Sequence, residues 1–95
     1  MSIKFEWDPN KAVRNLQKHG VSFEEAATVF RDTLSITVSD PDHSADEDRY
    51  ITVGSSSRLR VLMVSHTERE ERIRIISARE LTRKERKQYE EGNWN

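Results

Sequence analysis

Two adjacent side chains that can carry a proton and a positive charge, Lys18 and His19, fall at a break between two helical segments. The stretch N-L-Q-K-H-G-V-S-F-E-E-A, residues 15–26, predicts that one helix ends at Gly20 and that the next begins after Ser22. A histidine at such a corner can transfer protons near neutral pH, and the neighbouring ammonium can meet a phosphate. A structural role is the alternative, because cations are favoured at the carbonyl end of a helix.

Two arginines, Arg49 and Arg79, occupy strand positions that the alternation of apolar residues predicts to face the core rather than solvent. Arg49 alternates in phase with Val53, and Arg79 alternates in phase with Ile75. If those apolar residues face the core, both guanidinium groups lie at the ends of core-facing rows, where an unpaired charge is costly. The pattern predicts either a concave site that waits for an anion or a salt bridge. The candidate carboxylate partners are Glu47, Glu80 and Glu85.

The C-terminal helix carries two further candidates on its predicted docking face. Leu81, Glu85 and Tyr89 are four residues apart in sequence and therefore share one face of the helix. Glu85 is a possible partner for Arg79 and also a possible general acid or base. Its position three residues after Thr82 offers a third role, in a capping box.

The N-terminal part predicts the elements that position the Lys18-His19 pair. A short alternating strand around Phe5 is followed by Asp8-Pro9, a strong helix start because the carboxylate caps the first N–H groups. Ser22 and Glu25 form a capping box for the second helix. The apolar residues expected to be buried by the two helices are Ala12, Val13 and Leu16, then Phe23, Ala26, Ala27 and Phe30.

From residue 34 the apolar period changes to two, which predicts four strands at about 34–39, 49–53, 59–66 and 72–78, then a helix over 82–91. Residues 61–64 are apolar on both parities, as in a central strand. The short connections indicate an antiparallel meander. We therefore expect a single α+β domain, 1–95, with a mainly antiparallel sheet of about five strands flanked by three helices, in the order strand-helix-helix-strand-strand-strand-strand-helix.

The charges are distributed unevenly along the chain. Residues 20–48 carry eight acidic and one basic residue, a net charge of -7, whereas residues 58–87 carry ten basic and five acidic residues, a net charge of +5. A chain with a net charge of -1 can therefore still present a local positive field. Charged residues make up 35% of the chain, which also fits a partly disordered protein, but the strand periodicity favours a fold.

Several classes of site are disfavoured by what the sequence lacks. There is no cysteine, so neither a disulfide nor a thiolate metal site is available. The acidic stretch 40–48 lacks the glycine and the spacing of a calcium loop, so we expect it to be solvated and to bind no metal. No apolar run approaches the roughly 20 residues of a membrane span, and we expect a cytoplasmic protein.

Four stretches resemble the BrnT family of type II toxin–antitoxin ribonucleases. They are F-E-W-D-P-N-K-A, N-L-Q-K-H-G-V-S-F-E-E-A, the Arg49-Tyr50 strand opening and I-I-S-A-R-E-L-T-R-K-E-R-K-Q-Y. The resemblance implies a RelE-like fold and a metal-independent endoribonuclease, without a cofactor, that inhibits translation by cleaving RNA. It also implies a ribbon-helix-helix, BrnA-like antitoxin in a heterotetramer that represses its own operon, so that operator DNA is contacted only through the antitoxin.

The residues that match the family's motifs are expected to form its catalytic set. They are Lys18, His19, Arg49 and Arg79, with Glu85 and Tyr89 in support. Metal-free RNA cleavage needs a base for the 2′-hydroxyl, cations for the phosphorane and an acid for the 5′-oxygen. We expect the arginines to clamp phosphate, His19 to act as acid or base, and Lys18 to supply a point charge or the alternative base.

Four more arginines lie on or beside paired strands and are expected either to follow the RNA backbone or to be ordinary surface charge. They are Arg58, Arg60, Arg72 and Arg74. His66 is expected to be a hydrogen-bonded structural residue. The competing function is a non-catalytic binding module of the same fold, which carboxylate partners for Arg49 and Arg79 would favour. Tyr50 and Trp94 are candidate antitoxin contacts under either function.

Overall fold

The computed structural model describes residues 3–40 and 48–92, and these residues form the expected α+β arrangement. The strands are β1 (Lys4–Glu6), β2 (Ile36–Ser39), β3 (Arg49–Ser55), β4 (Val61–Arg69) and β5 (Arg72–Glu80), and the helices are α1 (Pro9–His19), α2 (Phe23–Thr28) and α3 (Arg83–Glu90). The sheet order is β1-β5-β4-β3-β2, antiparallel except for the parallel pair β1 and β5. In this part of the chain no helix combines the length and apolar character needed to cross a membrane.

The two ends of α1 are capped as the sequence predicts. The Asp8 carboxylate accepts the backbone N–H of Asn10 at 2.8 Å, and Pro9 occupies the first helical position. Gly20 adopts the left-handed conformation (φ 69°) and donates its N–H to the carbonyl of Leu16. A residue with a Cβ is disfavoured at that φ, so glycine ends the helix there.

The predicted buried face of α1 is confirmed at Ala12, which packs against the core, but it is wrong at the other two residues. Val13 and Leu16 are 57% and 52% exposed, and Asn15 is buried instead. The Asn15 amide donates to the carbonyls of Ala78 and Val21, and its oxygen accepts the Ala78 N–H at 3.1 Å. Since β1 pairs only with the first three residues of β5, the edge of β5 is open further along, and Asn15 satisfies the backbone there. Helix α1 therefore lies along the edge of β5.

The two faces of the sheet differ in what covers them. One face packs against α2 and forms the main core, which comprises Val21, Phe23, Ala26, Val29, Leu62, Val64, Ile73, Ile75 and Ala78. Directly opposed residues of neighbouring strands share a face. The register therefore places the following residues of β3, β4 and β5 together on the other side, here called the α3 face: Arg49, Ile51, Val53, Met63, Ser65, Thr67, Arg72, Arg74, Ser77 and Arg79.

A β-bulge in β5 changes the side on which Arg79 lies. The register between β4 and β5 shifts after Ser65, which leaves Ile76 as an extra residue. Before the bulge Ile75 faces the core, whereas after it Ala78 does so and Arg79 lies on the α3 face. The prediction that Arg79 ends the same core row as Ile75 is therefore wrong. Arg49 shares its face with Val53, as predicted, but this is also the α3 face rather than the α2 side.

Candidate active site

A groove of about 300 Å³ lies between α1 and the bulged part of β5. Its lining residues are Lys11, Arg14, Asn15, Lys18, His19, Ile76 and Ser77. Both residues of the Lys18-His19 pair therefore line one concavity. Within residues 3–40 and 48–92, neither of these two side chains has a hydrogen-bond or ion-pair partner, so both are available to a ligand.

Arg79 lies on the same strand and face as Ser77, two residues further along, which separates their Cα atoms by roughly 7 Å. Its two Nη atoms donate to the two carboxylate oxygens of Glu85 at 2.8 and 3.0 Å. One of them also donates to the Glu80 carbonyl at 3.2 Å. Of the two alternatives left open by the sequence, the salt bridge is therefore the one formed, and Glu85 is the partner.

The ion pair decides what Glu85 can do chemically. Its hydrogen bonds with Arg79 lower the pKa of Glu85 to about 2, and the same contact raises the pKa of Arg79. A carboxylate with that pKa is ionised at neutral pH, so it has no proton to donate and is a weak base. Glu85 also accepts the Thr82 N–H at 2.9 Å, which completes the predicted capping box of α3. Glu85 is thus a positioning residue for Arg79.

The predicted docking face of α3 is confirmed, since Leu81, Glu85 and Tyr89 are half-buried. The Tyr89 hydroxyl donates to the carbonyl of Leu34 at 3.2 Å, which connects α3 to the chain before β2. Burial, with a contribution from Asp32, raises the pKa of Tyr89. The phenol therefore stays protonated at neutral pH and supports the position of α3.

Arg49 lies on the α3 face but in a different row from Arg79. It is opposite Thr67, which is opposite Arg74, whereas Arg79 is opposite Met63. Four residues along β4 separate those two rows, which corresponds to roughly 13 Å. The six residues expected to be catalytic therefore do not form one compact cluster. Lys18, His19 and Arg79 lie at one end, and Arg49 lies at the other end, in the same row as Arg74 but separated from it by β4.

Arg60 is held inside the fold. Its Nε donates to the Glu25 carboxylate at 2.9 Å, and its Nη2 donates to the other Glu25 oxygen and to the carbonyl of Gly20. Glu25 is only 6% exposed and also accepts the Ser56 hydroxyl at 2.7 Å. Arg60 forms a second ion pair with Glu80 at 3.3 Å. This network joins α2, the end of α1 and β4, and it favours a structural role for Arg60 over the expected contact with RNA.

The capping box predicted for α2 is only half formed. Ser22 accepts the N–H of Glu25 at 3.0 Å, but the Glu25 carboxylate is used by Arg60 instead of returning to the helix end. The hydrogen bond from Arg60 lowers the pKa of Glu25, which is therefore charged at neutral pH.

The remaining three arginines are more accessible. Arg72 and Arg74 share the α3 face, as predicted, and pair with Glu6 at 3.5 and 3.1 Å. The contact with Arg74, and then that with Arg72, lowers the pKa of Glu6. Arg58 is exposed in the turn between β3 and β4. Contact of these three arginines with RNA stays a prediction.

His66 is a buried, hydrogen-bonded residue, as predicted. It is 1% exposed, and its Nε2 is hydrogen-bonded to the Thr52 hydroxyl at 2.8 Å. Phe30 meets the imidazole edge-on at 4.9 Å, and Tyr50 stacks on it at 5.8 Å. Tyr50 is therefore partly used in packing. Trp94 and Glu47 lie outside the described residues, and so does most of the acidic stretch 40–48.

The burial of His66 predicts an acid-sensitive stability. Burial lowers its pKa from 6.5 to about 4, so the unfolded chain binds more protons between these values. The stability that the protein gains from a neutral, buried His66 is fully present above pH 6.5 and is lost as the pH drops towards 4. We expect the free energy of unfolding to decrease by about 2 kcal/mol between pH 7 and pH 5, as measured by urea denaturation. His66→Gln should remove this decrease, and an unchanged pH slope in that variant would contradict the assignment.

Among residues 3–40 and 48–92, no three histidine, aspartate or glutamate side chains are grouped so that they could hold a metal ion. The groove is also lined by two cationic residues, Lys11 and Arg14, which the sequence analysis did not select. Lys11 precedes Arg14 by three residues, and Arg14 precedes Lys18 by four, so the three residues share one side of α1, and this spacing could have identified them. Ser77 could not have been found in this way, because its place in the groove depends on the bulge.

Comparison with known proteins places this architecture in a defined group. A family model described as the ribonuclease toxin BrnT of type II toxin–antitoxin systems matches residues 7–85. The 1.1 Å crystal structure of the Brucella abortus ribonuclease toxin BrnT is similar to this chain with a TM-score of 0.63 and 22% sequence identity, covering 86% of this chain and 100% of that one. No curated protein matches the sequence. At that identity the structural match supports the fold, and the family match covers most of the chain.

Proposed function

Because this chain belongs to the BrnT family of ribonuclease toxins of type II toxin–antitoxin systems, we propose that it is an endoribonuclease whose active site is the groove between α1 and β5. The observation that carries this proposal is the meeting of Lys18 and His19 with Ser77 in one groove, with Arg79 next along the same strand face. The groove supplies a proton-transfer group and positive charge together, which is what phosphodiester transfer requires.

The proposed reaction uses the substrate's own nucleophile. The 2′-hydroxyl oxygen bonds to the adjacent phosphorus and the bond from phosphorus to the 5′-oxygen breaks, leaving a 2′,3′-cyclic phosphate and a 5′-hydroxyl. His19 takes the hydroxyl proton or supplies the proton to the leaving oxygen, since an imidazole can do either near neutral pH. Lys18 or solvent water makes the other of these two proton transfers. Lys18 stabilises the negative charge that builds on the phosphorane. DNA lacks the nucleophile and should not be cleaved.

Arg79 contributes charge from the neighbouring position on β5. Both of its Nη atoms donate to Glu85, so a phosphate that binds the fork between those two atoms must displace at least one of these contacts. The ion pair holds the side chain on the α3 face before substrate arrives, which reduces the loss of side-chain freedom on binding. In this proposal Glu85 and Tyr89 position the site, and Arg49 and Arg74 meet more distant parts of the RNA.

The biological setting is proposed from family membership. We propose that RNA cleavage inhibits translation, that it occurs in the cytoplasm, and that a ribbon-helix-helix antitoxin of the BrnA type neutralises the protein in a heterotetramer. Operator DNA would then be contacted only through that antitoxin.

A binding module without catalytic activity is the second candidate function. The observation that favours it is that Glu85 occupies the fork formed by the two Nη atoms of Arg79, so a substrate cannot bind that fork while the ion pair is intact. In that case the positive surfaces bind an antitoxin or nucleic acid without cleaving it.

The test of the proposal is cleavage of a defined single-stranded RNA by the purified chain in excess EDTA. We expect products with 2′,3′-cyclic phosphate ends, and no cleavage of the DNA oligonucleotide of the same sequence, which is the matched control. Cleavage only after addition of a divalent cation would contradict the metal-free reaction. No cleavage of the RNA under either condition would favour the binding module.

A further inference from the structure

Helix α1 presents a stripe of positive charge that begins at Lys18, one of the two residues assigned to catalysis, and extends beyond it. Lys11, Arg14 and Lys18 follow one another at intervals of three and four residues, so they share one side of the helix, and all three line the groove. From Lys11 to Lys18 the helix rises by roughly 10 Å. The helix contains no acidic residue. The stripe is therefore continuous from the catalytic end of α1 towards its N-terminus.

Across residues 3–40 and 48–92, the charges of this stripe are not compensated. In the described ranges, no carboxylate pairs with Lys11, Arg14 or Lys18, and the guanidinium of Arg14 contacts only the carbonyl of Asn10 at 3.4 Å. Arginines elsewhere behave differently, since Arg60, Arg74 and Arg79 each pair with a glutamate.

Helix stability does not explain such a stripe. Like charges four residues apart on a helix, as at Arg14 and Lys18, destabilise it slightly. A cation near the N-terminus of a helix, as at Lys11, is also unfavourable for the dipole. A polyanion along this side of α1 would remove both penalties.

We propose that Lys11 and Arg14 form a subsite for the backbone phosphates that flank the cleaved phosphodiester, so that the RNA strand runs along α1 away from His19. This inference rests on the proposed function, because it takes the Lys18-His19 end of the groove as the cleavage site. One strand of a duplex carries a phosphate every roughly 3.4 Å of axis, and an extended strand spaces them more widely, so a 10 Å stripe matches about two or three phosphates. Lys11 and Arg14 then contribute affinity and register rather than chemistry.

Binding is tested with a 2′-O-methyl RNA oligonucleotide, which cannot be cleaved because its nucleophile is blocked. The Lys11→Gln/Arg14→Gln variant should bind it about tenfold more weakly, and the slope of log K against log salt should fall by about 1.4, or 0.7 for each lost phosphate contact on a single strand. The matched control is Arg83→Gln/Lys87→Gln, which removes the same charge from exposed positions of α3. That control should leave both quantities unchanged.

Cleavage of the unmodified RNA separates this inference from the proposed function. If the wild-type chain cleaves, the Lys11→Gln/Arg14→Gln variant should show a KM raised about tenfold with kcat unchanged. If the wild-type chain binds but does not cleave, the proposed function fails while the loss of affinity still supports the subsite. The subsite is overturned if both double variants lose affinity equally, or if the α1 variant binds the oligonucleotide like wild type.

Discussion

Alanine at either His19 or Arg79 is expected to lower the rate constant of RNA cleavage by about 10²–10³-fold. His19 is the proton-transfer residue of the groove, and Arg79 adds positive charge two residues beyond Ser77 on the same face. The measurement is single-turnover cleavage in EDTA, beside a thermal melt that reports whether the variant is folded. Gln17→Ala, an exposed change on the same helix, is the matched control and should cleave at the wild-type rate.

The Arg79 result needs a companion variant, because Arg79→Ala also leaves Glu85 without its ion pair. In Arg79→Ala/Glu85→Gln no uncompensated charge remains, and glutamine can still accept the Thr82 N–H at the start of α3. We expect this double variant to regain stability and to cleave as slowly as Arg79→Ala. Wild-type cleavage in the folded double variant would show that the Arg79–Glu85 pair is structural only, and it would remove Arg79 from the active site.

Arg60→Ala is expected to destabilise the fold by about 3 kcal/mol, because it leaves the buried carboxylate of Glu25 with a single remaining side-chain donor, Ser56. The measurement is the free energy of unfolding from urea denaturation at pH 7. Arg58→Ala, two residues away in an exposed turn, is the matched control and should change it by less than about 0.5 kcal/mol.

Two further results distinguish a structural Arg60 from one that binds RNA. Adding Glu25→Gln to Arg60→Ala should recover part of the lost stability, because the double variant contains no buried unpaired charge. A stable Arg60→Ala variant with a raised KM for RNA would contradict this assignment and restore the contact with RNA that the strand pattern suggested.

Local chemistry in the sequence determined most of the fold. Asp8, Pro9 and Gly20 set the limits of α1 through contacts within a few residues, and the capping box at Thr82 starts α3 in the same way. Alternation of apolar residues predicted the strands and the central place of β4, because that alternation follows from the pleat of one strand. The Lys18-His19 corner is likewise a local feature, and it was predicted without any knowledge of its neighbours.

Long-range pairing decided the rest of the candidate site. The bulge at Ile76 exists only in the register between β4 and β5, and it moved Arg79 from the core side to the α3 face. Asn15 is buried because its amide forms hydrogen bonds with the open edge of β5, and this orientation of α1 leaves Val13 and Leu16 exposed. Tertiary packing also determines which arginine pairs with Glu25 and which with Glu85, because the sequence alone does not distinguish among several candidate pairs. Caps and alternation depend on neighbouring residues along one chain segment, whereas a bulge, an open edge or an ion pair depends on which distant segment packs against it.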